Sequence, residues 1–164
     1  MVTWEEFIGA MRTRWPVRSL TWIQRNWVTD LLRLTRIDSL AGLENAPYSP
    51  QITCLDFSNN NLKDLAGFSL KQFPNTTQIL LNNNKIADLS SLLKTPGIEN
   101  IRELHAVNNA LTTLDLNLLN NAPMLFVLNV GFNKIQDLIN IPPTQQLHNL
   151  EMRSEEHTSE LQSH

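Results

Sequence analysis

From residue 52 onward one pattern of apolar residues recurs about every 24 residues, a regularity that outranks any local propensity because it dictates how the whole chain must pack. Written as LxxLxLxxNxLxxL, the pattern is filled first by Ile52, Leu55, Phe57, Asn60, Leu62 and Leu65, and again by Leu125, Leu128, Val130, Asn133, Ile135 and Leu138. Between them lie Thr76, Ile79, Leu81, Asn84, Ile86 and Leu89, then Ile101, Leu104, Ala106, Asn109, Leu111 and Leu114. The starts at 52, 76, 101 and 125 are separated by 24, 25 and 24 residues. A weaker unit starting near 27 is phased on Ile37, Leu40 and Leu43, and a cut unit begins at 147 with Leu147, Leu150 and Met152.

A unit this short cannot bury its apolar face alone, so copies must stack side by side. Apolar residues at the fourth and sixth positions alternate as a strand requires, and stacked copies pair into a parallel sheet lining one side of the solenoid. At the ninth position Asn60, Asn84, Asn109 and Asn133 stand where the chain turns away from the sheet and leaves backbone groups unpaired. A side-chain amide, donor and acceptor at once, bonds such groups, so these four are expected to form a structural ladder. Beyond the strand, Leu65 and Phe68, Leu89 and Leu92, and Leu138 and Ile141 recur three apart. That spacing fits short helical turns or irregular backbone on the far side, with Pro74, Pro96, Pro123 and Pro142 marking the return.

The same alternation sorts the residues that face outward from the sheet into columns. The third position gives Cys54, Gln78, Glu103 and Val127, and the fifth gives Asp56, Leu80, His105 and Asn129, with Glu151 at the end. Ser58, Asn82, Val107 and Gly131 follow at the seventh position, and Asn59, Asn83, Asn108 and Phe132 at the eighth. The candidate partner-binding surface is therefore Asp56, Gln78, Leu80, Glu103, His105, Val107, Val127, Asn129 and Phe132. Apolar residues among amides with few cations suit a protein or peptide better than a phosphate backbone. Phe126 and Phe132 are the candidate anchors, unless they pack against the next repeat; their solvent exposure decides between the two.

An enzymatic reading would start at His105, which shares a face with Glu103 and a column with Asp56. Asp56 and His105 are two repeats apart, about 10 Å at the usual strand spacing, too far for a hydrogen-bonded dyad. No Ser or Cys stands beside a base, no Gly-rich phosphate loop occurs, and His105 and His148 form no ligand cluster, so no catalytic, cofactor or metal residues are assigned. Cys54, the one cysteine, excludes an internal disulfide and suits a reducing compartment. Asn75-Thr76-Thr77 spells a glycosylation sequon, but Met1 to Trp15 lack the apolar core of a signal peptide. No stretch is apolar enough to span a membrane. The expected setting is intracellular, cytoplasmic or nuclear, with a protein partner, no direct nucleic-acid binding and no membrane.

Thirteen Lys and Arg against sixteen Asp and Glu leave a net charge of −3, divided as +3 over residues 1–36 and −6 over 37–164. In the basic front segment Thr3 and Glu6 have capping-box spacing, and Trp4, Phe7, Ile8, Met11 and Trp15 share one helical face before Pro16. Residues 1–26 are thus expected to be a helical cap over the first of the repeats, which span 27–152; the alternative is a helix that docks a partner or a lipid surface. Residues 153–164, RSEEHTSELQSH, back-translate codon for codon to a string resembling a short-read sequencing adapter, and are read as a non-native tail.

The segments LDFSNNNLKDL, ILLNNNKIADL, LHAVNNALTTL and LNVGFNKIQDL resemble the leucine-rich repeat family, over about residues 27–152. They look more like its intracellular classes than its plant receptor class, and residues 52–89 are similar to repeat proteins of the spliceosomal A-prime type. The resemblance implies an α/β horseshoe with a concave parallel sheet, an irregular or short-helical convex side and a surface that binds proteins. It also implies two alternatives to a scaffold or adaptor: a ribonucleoprotein component acting through an RNA-binding partner, or the recognition arm of a longer enzyme.

Overall fold

The computed structural model describes residues 38–40, 50, 52–139 and 149–151. The helical cap expected over 1–26 and the tail at 153–164 lie outside these residues, as do Ile37, Leu43 and Leu147. Among the described residues the strands are β1 (Cys54–Asp56), β2 (Gln78–Leu80), β3 (Glu103–His105), β4 (Thr113–Asp115), β5 (Val127–Asn129), β6 (Asp137–Ile139) and β7 (Asn149–Glu151). Five of them form one parallel sheet in the order β1-β2-β3-β5-β7, and β4 and β6 form a second.

The register of the main sheet is the register of the repeat. Cys54, Gln78, Glu103, Val127 and Asn149 are partners along one row, and Asp56, Leu80, His105, Asn129 and Glu151 along another. Between the rows Leu55, Ile79, Leu104 and Leu128 are completely buried, which is why a slip by one residue would turn the core outward. Backbone pairing continues past the strand ends: Phe57, Leu81 and Ala106 donate to the carbonyls of Leu80, His105 and Asn129 at 2.8, 2.7 and 2.7 Å. Leu40, from the weaker early unit, is buried in the same core, and Phe57 and Phe68 meet edge to face at 6.2 Å. Stacked repeats on a parallel sheet are compatible with the leucine-rich repeat solenoid that the resemblance implies.

At the ninth position each buried asparagine ties neighbouring units together. The Asn84 amide nitrogen donates to the carbonyls of Phe57, one unit back, and Leu81, in its own, at 2.9 and 3.1 Å, while its oxygen accepts from the Leu62 amide at 3.0 Å. Asn109 repeats this with Leu81, Ala106 and Ile86, and Asn133 with Ala106, Val130 and Leu111. Asn60 is half-buried, and its amide donates to the Phe57 carbonyl within its own unit at 2.9 Å.

The far side holds 3-10 turns at Leu92–Lys94, Ile98–Asn100 and Leu116–Asn121. Gly97 precedes the second at φ +96°, and a side chain there would meet the Cβ of Leu70 at 3.0 Å. The parallel pair β4–β6 was not foreseen from the sequence. In the first two units Asp64 and Asp88 accept from the amides of Ala66 and Ser90, turns that bend the backbone away from extension. In the third and fourth units the same position, Thr113 and Asp137, is extended, and the two pair as the first residues of β4 and β6.

Asn109→Ala leaves the buried Ile86 amide without its acceptor and takes from the Leu81 and Ala106 carbonyls one of two amide donors each, Asn84 and Asn133 keeping the other. It should lower the free energy of urea unfolding by about 1–3 kcal/mol. A variant as stable as the parent would contradict the structural role of the asparagine.

Candidate protein-binding surface

The outward face of the sheet carries the two columns of strand residues, extended by the seventh-position residues beyond the strand ends. Gln78, Leu80, Glu103, His105, Val107, Val127 and Asn129 are all half-buried there. Asp56 departs from the expected surface: it is 7% exposed, and its carboxylate accepts from the Ser58 amide at 2.9 Å. It shapes the turn after β1, and Ser58 and Gly131 are buried at the corresponding turns. The half-buried residues of the sheet face are therefore centred on β2, β3 and β5, and Asp56 does not contribute.

Polar side chains on this face are linked through one carboxylate. Gln78 donates through Nε2 to Oε2 of Glu103 at 2.8 Å, and Nε2 of His105 lies 3.4 Å from the same oxygen. Asp56 and His105 sit on strands separated by β2, so the imidazole's carboxylate neighbour is Glu103, from its own strand. Nearby, the Cys54 thiol is pushed up from 9.0 to about 11, first by desolvation on burial and then by the charges of Asp56 and Glu103. A thiol protonated at neutral pH is a poor nucleophile, and among the described residues no hydroxyl is hydrogen-bonded to the imidazole–carboxylate pair. Among the described residues no group of three His, Cys, Asp or Glu could hold a metal ion, and no helix is long and apolar enough to cross a membrane. The sequon residues are engaged in the fold: Asn75 donates to the Pro50 carbonyl, and the buried Thr76 hydroxyl to that of Ile52.

Exposure answers the question left open for the two aromatics. Phe126 is 38% exposed and Phe132 45%, and Met124 beside them reaches 60%. Phe126 precedes β5 and Phe132 follows it, so the two flank one strand of the sheet face.

A second asparagine series runs along the exposed rim at the eighth position, and sequence reading missed its backbone. Asn59, Asn83 and Asn108 have φ of 60°, 56° and 54°, the left-handed region in which asparagine is the favoured residue after glycine. Three asparagines at one phase were the available signal. Their side chains form a chain, Asn108 donating to Asn83 and Asn83 to Asn59, each at 2.9 Å. Phe132 occupies the next place with φ 54°, and there the amide chain stops.

An asparagine in place of Phe132 suits that backbone better and adds a rung onto Asn108. Phe132→Asn should therefore stabilise the protein by about 1 kcal/mol in urea unfolding; a destabilised variant would mean that the ring is packed. Cys54 should react with iodoacetamide at pH 8 roughly a hundredfold more slowly than an ordinary thiol, and normally once unfolded in urea. Because its folded value is raised, the associated stability is present below pH 9.0 and is lost as pH rises through about 11.

No protein-family model matches the chain, and no curated protein matches it. Among solved structures it is similar to YopM from Yersinia enterocolitica WA-314, with 20% sequence identity and a TM-score of 0.39 over 71% of this chain. The match spans 26% of that chain's length.

Proposed function

We propose that the chain is a protein-binding scaffold or adaptor of the leucine-rich repeat type, working inside the cell without a cofactor. In this reading the main sheet lines the concave side of a short horseshoe, the segment 1–26 caps its core, and a partner protein lies across β2, β3 and β5. The observation that carries the reading is the composition of the aligned face. Half-buried Leu80, Val107 and Val127 alternate with Gln78, His105 and Asn129, and exposed phenylalanines flank β5. Apolar area interspersed with amides is the make-up of a protein interface. Neither strand column holds a lysine or arginine, so a nucleic-acid backbone would find no cations along the strands.

Affinity purification with quantitative mass spectrometry tests this, comparing the wild-type chain with Leu80→Lys and Val127→Lys on the sheet face and Lys94→Glu on the far side. Proteins enriched by the wild type should be lost with the two sheet-face variants and kept with Lys94→Glu, all three retaining the parent's circular dichroism. Retention by the sheet-face variants, or equal loss with Lys94→Glu, would count against the proposal.

A further inference from the structure

The binding reading above leaves open which part of the face holds the partner and what chemistry it selects; the inference drawn here rests on that reading. Exposed apolar side chains are ordinary when scattered. Here Met124, Phe126 and Phe132 fall within nine residues, around the single strand β5. Phe132 is also in a conformation that phenylalanine disfavours, at a position where three other units place asparagine and gain a side-chain hydrogen bond. With 45% of its surface in solvent, the ring does not recover this loss by burial within the chain. Strain and exposure at one residue are the mark of a side chain used by something outside the fold.

The neighbouring strand supplies a charge. Register sets Val127 against Glu103. Both contacts to the Glu103 carboxylate fall on Oε2, from Gln78 and His105, and Oε1 accepts none from the described residues. The side chain is held in place and is still 35% exposed. Arg102 stands exposed in the chain just before β3, and its carbonyl accepts from the Phe126 amide at 3.0 Å.

We propose that this end of the sheet face is an anchor site for a polypeptide segment bearing a large apolar side chain and, a few residues away, an arginine or lysine. The apolar group packs between Phe132 and Val127, and the cation pairs with Oε1 of Glu103. An aromatic anchor beside a fixed, partly desolvated carboxylate is the kind of pairing in which few residues carry most of the affinity.

The test uses the full chain as bait for a random dodecapeptide library displayed on phage. The expected result is enrichment of peptides that join an aromatic or long aliphatic residue to a nearby arginine or lysine. Synthetic versions of these peptides should lose roughly tenfold or more in affinity with Phe132→Asn and with Glu103→Gln. Because Phe132→Asn is expected to melt no lower than the parent, that loss is separable from unfolding. Failure to enrich any peptide, enrichment of acidic or purely polar sequences, or affinity unchanged by Phe132→Asn would overturn the anchor site. Peptides weakened by Leu80→Lys alone overturn it while leaving the sheet-face reading in place, whereas peptides indifferent to every sheet-face substitution remove both.

Discussion

The buried asparagine of each unit is the contact on which the rest of the structure depends. Leucines explain why units stack, but hydrophobic burial is non-directional and does not by itself fix how one unit sits on the next. The amide of Asn84, Asn109 or Asn133 does, because it bonds a carbonyl one unit back, a carbonyl of its own unit and a backbone amide of the previous turn. With those three groups satisfied, the chain can leave the sheet through an apolar interior without orphaned polar atoms. The strand register, and with it each column of the outward face, follows.

Much of this was legible in the sequence because the period carries it. Aligning Leu55, Ile79, Leu104 and Leu128 is enough to place Gln78 beside Glu103 and Glu103 beside Val127, and the sheet has that register. The ladder asparagines were legible for the same reason. What was not legible depends on local backbone geometry. Asp56 belongs to the outward column by phase, yet it bends back to the Ser58 amide and is buried. β4 and β6 have no periodic signature, since the position that turns the chain at Asp64 and Asp88 is extended in the next two units whether it holds Thr113 or Asp137. The left-handed backbone at Asn59, Asn83 and Asn108 was signalled by composition, but at Phe132 it is imposed by the neighbouring repeats against the preference of the residue itself.

The polar groups of the face illustrate how proximity differs from reactivity. Cys54 lies on β1 and Glu103 and His105 on β3, with β2 between them, so residue types found in catalytic centres share one face of the sheet. The charges and burial that gather them hold the thiol protonated, and the imidazole contacts a carboxylate already engaged by Gln78. The arrangement fixes the polarity of this part of the surface.

Between the third and fourth full units the backbone is tied on both sides, by β3–β5 on the sheet face and by β4–β6 behind it, with Asn133 bonded across the gap. Two parallel ladders a layer apart resist hinging and twisting in a way that one ladder cannot. The strip formed by Val127, Glu103 and the flanking phenylalanines is thus mounted on the most doubly braced joint among the described units. A ligand settling there would find little backbone freedom left to quench, so that more of its contact energy would be expressed as residence time.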